Sequence, residues 1–322
     1  MKTLKFGLWD SALVAILVGV MALMTYFTPY FLDIYNLVDS TVNFSEKALI
    51  ALPMALLIIA REIDVSVASI VALAAVLIGV AADAGAPVPV LVFVGLLTGT
   101  LAGGLNGVMV NYLGVHSIVV TIGTLSLYRG IAVSIVGDGA LTSFPASYAW
   151  FGQHYLWGYV PVEFVIFLIF VAIFGVILHG TIHGRRIFAM GTNPEATRYS
   201  GINIARYRVA IFAATGFMCG LAAILLSSRL GSVRLNIATG WELQVITMVV
   251  LGGVGIAGGT GTIIGVTLSV FIIGFLTFGL SLMNIPGIVM NIYIGLMLIA
   301  AIALPKIISA LPINYKSPQK EQ

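Results

Sequence analysis

Residues 243–305 read LQVITMVVLGGVGIAGGTGTIIGVTLSVFIIGFLTFGLSLMNIPGIVMNIYIGLMLIAAIALP and contain no Asp, Glu, Lys or Arg. A helix that crosses the hydrocarbon core of a bilayer needs about 20 apolar residues, and a charge at its centre costs at least about 2.5 kcal/mol. Two interruptions rich in turn-forming residues, at 252–261 and 284–287, divide the stretch into three apolar pieces. The sequence therefore predicts three consecutive membrane spans in this region.

The rest of the chain follows the same pattern. Of its 322 residues, 60% are apolar and 8% are charged, against roughly 25% charged in a typical soluble domain. Charge-free runs predict seven further spans, at about residues 11–31, 47–60, 65–82, 88–111, 117–136, 159–179 and 207–229. We therefore expect an all-α, polytopic integral membrane protein of about ten transmembrane helices, with a single transmembrane domain over residues 1–322.

Basic residues predict the orientation, because Lys and Arg gather in cytoplasmic loops. The loop at about residues 180–208 holds five arginines and one acid, two lysines precede the first span, and three lie in the tail at about 306–322. The termini are therefore expected in the cytoplasm, which requires an even number of spans. Arg229 and Arg234 fall on the outer side in this scheme and are exceptions to it.

The inventory of reactive side chains argues against catalysis. The sequence has no H-E-x-x-H zinc pattern, no G-x-S-x-G nucleophile elbow and no Gly-Lys pair for a phosphate-binding loop. We expect no cofactor, no metal site and no enzymatic activity, and a net charge of +3 is too small to indicate nucleic acid. The lone Cys219 lies in an apolar segment and is expected to pack there. Few acids lie deep in the spans, which makes an ion-coupled carrier less attractive but leaves it open.

A short helix is specified inside the cytoplasmic loop. Asn193 can cap exposed amides, Pro194 suits the first helical position and Gly201 can end the helix, so two turns are expected between two loops. This segment is either a surface helix of its own domain or a coupling helix that docks on a separate ATPase. The coupling candidates are Gly191, Thr192, Asn193, Pro194, Glu195, Ala196, Thr197 and Arg198.

Several polar side chains interrupt the spans and are candidates for a translocation path: Asp64, Ser66, Asn106, Thr121, Thr124 and Arg129. Each has a structural alternative. The two threonines can bond to carbonyls of their own helix, Asn106 can join helices, and Arg129 can be paired inside the protein or extend towards water. The polar residues 61–64 and the Gly-rich residues 252–261 are followed by similar apolar runs, which indicate either an internal repeat or chance similarity.

Four blocks carry a resemblance to a known family. They are residues 61–69 (REIDVSVAS), 118–130 (IVVTIGTLSLYRG), 184–203 (GRRIFAMGTNPEATRYSGIN) and 250–261 (VLGGVGIAGGTG). In this order they resemble the permease subunits of ABC importers for ribose, xylose, rhamnose and the furanosyl autoinducer. Ala68 and the Arg61-Glu62 pair stand where the family often has glycines, and the Arg is closer to the rhamnose and autoinducer branches.

The resemblance implies a permease for a sugar or sugar-like neutral solute in a bacterial inner membrane. It implies three protein partners: an ABC ATPase subunit, a periplasmic solute-binding protein, and a second permease copy or paralogue that completes the pore in the lipid bilayer. On this basis Arg229 and Arg234 are expected to face acidic residues of the docked binding protein. An ion-coupled secondary carrier remains the alternative, and the sequence leaves open which sugar is carried.

Overall fold

The computed structural model of the protein describes residues 7–310. Seven of its helices are long and apolar enough to cross a membrane: α1 (Leu8–Phe27), α3 (Val42–Ile59), α5 (Val88–Leu113), α6 (Ser117–Val136), α8 (Val162–Gly175, continued by a π turn over Val176–Gly180), α11 (Ile204–Leu230) and α13 (Ile263–Leu282). Three more apolar helices bring the set to the predicted ten: α4 (Val67–Asp83), α12 (Trp241–Leu251) and α14 (Gly287–Ala310). The expectation of a polytopic all-α membrane protein is confirmed.

The remaining elements are short and lie between the apolar helices. They are the helices α2 (Ile34–Ser40), α7 (Trp150–Gln153), α9 (Ile182–Thr192) and α10 (Pro194–Tyr199), a 3-10 turn at Ala146–Ala149, and the strands β1 (Ala140–Leu141), β2 (Tyr155–Leu156), β3 (Val160–Pro161) and β4 (Val233–Arg234). Strand β1 pairs with β4 and β2 pairs with β3, both antiparallel.

Three boundaries differ from the sequence prediction. Helix α3 begins at Val42 and so contains Glu46, which lies outside the span predicted at about residues 47–60. The segment before the predicted two-turn helix is helix α9 rather than a loop. Helix α14 continues to Ala310, past the expected end at about 305. Lys2, Lys5 and tail residues 311–322, on which part of the orientation argument depends, lie outside the described residues.

Helix α3 forms the centre of the bundle, with nearly all of its residues buried among α8, α11, α12 and α13. Helices α5 and α11 pack backbone to backbone, because a Cβ atom at Gly99 or Gly216 would overlap a carbonyl oxygen of the other helix. Such small-residue contacts are how membrane helices approach closely without a hydrophobic driving force. Cys219 is fully buried on α11, as its apolar neighbourhood predicts.

Two non-helical segments interrupt this bundle. We call residues 60–66, between α3 and α4, the first break, and residues 252–262, between α12 and α13, the second break. In the first break, peptide groups bond to side chains of α6. In the second, glycines with positive φ allow the backbone to bond to itself. Both arrangements satisfy polar groups that a lipid environment leaves without water.

Candidate coupling and transport sites

The predicted coupling segment forms the helix α10 and is largely exposed. The Asn193 side chain accepts a hydrogen bond from the Ala196 amide at 3.0 Å, and Pro194 takes the first helical position. Gly201 follows with a φ of +78° and bonds to the Arg198 carbonyl, so the predicted cap and stop are confirmed. Within the helix, only Thr197 is buried against its own domain.

The outward face of α10 is therefore free for a partner. Glu195, Ala196, Arg198 and Tyr199 are all exposed, and Tyr199 keeps 91% of its accessible surface. A six-residue helix is marginal in water on its own, and a large exposed aromatic side chain beside charges is typical of interface centres. Both properties are expected of a surface on which another protein docks.

The first break carries a buried polar network. The Asp64 carboxylate accepts hydrogen bonds from the Ser66 amide at 2.8 Å and from its hydroxyl at 2.6 Å. The Asn106 side chain, on α5, donates to the Ser66 hydroxyl at 2.8 Å and lies 3.4 Å from the other Asp64 oxygen. All three side chains have no accessible surface. Asp64, Ser66 and Asn106 thus form one cluster, and Asn106 joins α5 to the break.

Tyr128 extends this cluster to α6 and was not among the residues singled out from the sequence. Its hydroxyl lies 3.1 Å from the Asn106 side-chain oxygen and 3.1 Å from the Ala102 carbonyl. A tyrosine deep in an apolar helix needs a partner for its hydroxyl. This requirement is the one feature by which the sequence could have indicated Tyr128. The polar cluster of Asp64, Ser66, Asn106 and Tyr128 therefore connects the first break to both α5 and α6.

The hydroxyl groups of Thr121 and Thr124 follow the structural alternative. Thr121 donates to the Ser117 carbonyl at 2.8 Å and accepts from the Val65 amide at 3.2 Å, while Thr124 bonds to the Thr121 carbonyl at 3.3 Å. Both side chains are buried. In this conformation Thr121 holds α6 to the first break, Thr124 bonds within α6, and contact of either with a solute stays a prediction.

Arg129 lies midway along α6 and bonds inside the protein. Its guanidinium donates to the Ile237 carbonyl at 2.7 Å and lies 3.4 Å from the Ala68 carbonyl. Ile237 belongs to the non-helical residues 231–240 that precede α12. Arg129 thus satisfies a peptide carbonyl of a non-helical segment that leads into the short, 11-residue helix α12.

Arg229, at the end of α11, forms an ion pair within the chain. Its guanidinium bonds to both carboxylate oxygens of Glu46, at 2.8 and 3.2 Å, and Glu46 is fully buried. This pair gives the arginine that the charge rule marked as an exception a partner inside the protein. Arg234, in β4, is exposed.

A small polar pocket opens beside this ion pair, with a volume of about 250 Å³. Tyr155 and Asp39 meet at its wall through a short hydrogen bond, which raises the pKa of the tyrosine to about 12. The complete lining consists of Asp39, Val42, Asn43, Gly152, Gln153, Tyr155 and Arg229. Several hydrogen-bond donors and acceptors therefore line this pocket.

Comparisons with known proteins agree with a membrane transport protein. A family model described as "Branched-chain amino acid transport system / permease component" matches residues 36–302. The Autoinducer 2 import system permease protein LsrD of Yersinia enterocolitica (serotype O:8 / biotype 1B) is 35% identical over 304 residues, which cover 92% of this chain and 91% of that protein. The protein of the same name from Escherichia coli (strain K12 / DH10B) is 35% identical over 305 residues, with 93% and 92% covered. No solved structure matches the chain.

Proposed function

The chain belongs to the family of branched-chain amino acid transport system permease components, and we propose that it moves a neutral, sugar-like solute of the autoinducer class inward as part of an ATP-binding-cassette importer. The observation that carries the proposal is the 35% identity, over 92% of the chain, to proteins named as autoinducer 2 import permeases. Those names favour ATP-driven import over an ion-coupled carrier.

The choice of a neutral solute over an amino acid is supported by the polar side chains inside the bundle. A zwitterionic amino acid carries a cation and an anion, which a transporter site stabilises with opposite charges or with helix ends. Arg129 is bonded to backbone carbonyls, and Asp64 is bonded to Ser66 and Asn106. In this conformation, neither of these two charged side chains is left to pair with a zwitterion.

In the proposed mechanism, ATP is hydrolysed on a separate subunit that docks on α10. Nucleotide-dependent movement of that subunit displaces α10 and switches the permease between outward- and inward-facing states. A second permease copy or paralogue completes the pore, and Asp64, Ser66, Asn106, Thr121, Thr124 and Arg129 adjoin the path. A periplasmic binding protein delivers the solute to the outer face, where the exposed Arg234 and the polar pocket are proposed to lie.

Both termini are proposed to lie on the cytoplasmic side of the inner membrane. The exposed arginines Arg185, in α9, and Arg198, in α10, support this orientation. At Asn193, a fused reporter enzyme that is active only in the cytoplasm is expected to be active. At Gln153, a fused reporter enzyme that is active only in the periplasm is expected to be active. If both fusions report the same side, the ten-helix topology is wrong.

Uptake measurements test the function. Cells that express this chain with its ATPase and binding protein are given labelled autoinducer 2, and proton and sodium gradients are then collapsed at constant ATP. Uptake is expected to continue after the collapse and to stop when ATP is depleted. Labelled leucine is the matched control, and preferential uptake of leucine would contradict the proposed solute class.

A further inference from the structure

Three segments of the chain meet at one point directly before α10. The Gly259 amide, in the second break, donates to the carbonyl of Ile59, the last residue of α3, at 2.8 Å. Arg61, in the first break, donates from Nε to the Gly191 carbonyl at 2.6 Å and from Nη2 to the Thr192 carbonyl at 3.1 Å. Thr192 is the last residue of α9. Both breaks therefore contact the end of the helix that leads into α10.

Glycines make this junction close. A Cβ atom at Gly191 would overlap the Ile59 carbonyl oxygen, and one at Gly258 would overlap the side chain of Arg61. The three backbones are thus in direct contact, with no layer of side chains between them. Contacts of this kind transmit a displacement, because packed backbone is not easily compressed.

Arg61 has an unusual backbone conformation. Its φ is +67°, in the left-handed region that favours glycine. A residue with a side chain persists in this region only where the surrounding structure compensates for the strain, and such residues cluster at functional sites. Here the guanidinium supplies the compensation, since it satisfies two carbonyls at the negative end of α9.

The residues after Arg61 lead directly into the spans. Glu62 forms an ion pair with Arg208 of α11 at 2.5 Å, and the Ile63 amide donates to the Ser117 hydroxyl of α6 at 3.0 Å. Asp64 then begins the polar cluster that reaches α5. Residues 62–64 therefore connect Arg61, which is bonded to the end of α9, to the membrane helices α11, α6 and α5.

We propose that Arg61 is a positioning residue for transport, which ties the end of α9 to the first break so that movement of α10 reaches α5, α6 and α11. The inference rests on the proposed function, because it needs α10 to be the docking site of the ATPase. In this proposal Arg61 acts through its bonds to the two carbonyls at the end of α9. The second break contributes the backbone surface against which the end of α9 is held.

Two substitutions separate positioning from a purely structural role. Arg61→Gly removes the guanidinium and at the same time relieves the strained φ, whereas Arg61→Lys keeps one charged donor. Arg185→Gln is the matched control, because Arg185 is an exposed arginine of α9. The complete complex with its ATPase and binding protein is reconstituted in liposomes, and the number of solute molecules moved per ATP hydrolysed is measured.

The complex that contains Arg61→Gly is expected to assemble with the ATPase and to hydrolyse ATP at a rate within twofold of that of the unsubstituted complex. The number of solute molecules moved per ATP hydrolysed is expected to fall at least tenfold. Arg61→Lys should recover part of that ratio, and Arg185→Gln should not change it. If the complex with Arg61→Gly assembles and moves as many solute molecules per ATP as the unsubstituted complex, the inference is overturned and the proposed function is not affected. Failure of the unsubstituted chain to bind the ATPase would instead overturn the proposed function, and the inference with it.

Hydrogen exchange gives a second readout that a structural role would not change. Addition of the ATPase is expected to slow amide exchange in α10 and also in residues 61–66. In Arg61→Gly, the slowing should remain in α10 and disappear from residues 61–66. Equal slowing at both segments in the variant would show that the signal passes without the guanidinium and would overturn the inference.

Discussion

The ion pair of Glu46 and Arg229 predicts unequal costs for the loss of its two members. The Glu46 side chain has no exposure, whereas the Arg229 side chain keeps 24% of its accessible surface. Removal of one partner from a buried pair costs about 3–5 kcal/mol, because the other charge stays buried without compensation. An exposed pair contributes only about 0–1 kcal/mol. The cost therefore depends on which charge is left behind.

Arg229→Gln leaves the buried carboxylate with only the neighbouring Lys47 as a cation, so we expect the free energy of unfolding to fall by about 3 kcal/mol. Glu46→Gln leaves a guanidinium that reaches water and lies near Glu163, so the expected loss is about 1 kcal/mol. Glu163 is buried and neither of its oxygens has a hydrogen-bond partner within the described residues. It is therefore available to interact with the guanidinium in the second variant only.

Denaturant unfolding of the purified protein in detergent measures these differences, with the double variant Glu46→Gln/Arg229→Gln completing a thermodynamic cycle. The double variant is expected to be more stable than Arg229→Gln alone, since no charge is left unpaired at position 46. Equal losses for the two single variants, or a greater loss for Glu46→Gln, would refute the reasoning from burial. Strict additivity in the double variant would show that the two side chains do not interact.

Three further changes test other parts of the structure. Glu195→Pro should abolish ATPase binding and reduce uptake to background while membrane insertion stays normal, because consecutive prolines disfavour the helical conformation of the first; co-purification of the ATPase with this variant would contradict the coupling role of α10. Gly99→Leu should prevent α5 from packing on α11 and lower the yield of monodisperse protein severalfold, whereas Gly19→Leu, where a Cβ atom meets nothing within 4 Å, should not; size-exclusion chromatography in detergent compares them. Arg234→Gln should reduce ATPase stimulation by the binding protein most at low ionic strength, because salt screens opposite-charge docking; the same deficit at all salt concentrations would argue against an electrostatic role.

The ten helices could be predicted from charge and hydropathy, because each span must be apolar to remain in lipid. The start of α3 could not. Glu46 is tolerated there because Arg229, 183 positions later, pairs with it, and such a long-range partner leaves no local signal. The short helix α10 was predictable in detail, because its cap, its first proline and its final glycine all act within a few residues.

For the candidates of the translocation path, the sequence predicted the individual residues but not their arrangement. Asp64, Ser66 and Asn106 could be recognised as polar residues in apolar surroundings, but not as one cluster, because Asn106 reaches the Ser66 hydroxyl across 40 positions of sequence. Tyr128 was missed because a tyrosine is ordinary in an apolar helix until the partner of its hydroxyl is known. The sequence thus identified which residues carry polar groups but not which of them bond to each other.

The two breaks solve the same physical problem by different chemistry. Every peptide group at membrane depth must find a partner inside the protein. In the first break, the hydroxyl groups of Ser117 and Thr121 receive the backbone amides of Ile63 and Val65.

In the second break, positive φ values at Gly258 and Gly259 let the chain fold on itself, and the Gly255 amide bonds to the Thr260 carbonyl at 3.1 Å. The first break therefore depends on side-chain hydrogen bonds that can be replaced by similar groups. The second depends on the absence of side chains, because there the backbone must approach both Ile59 and the end of α9.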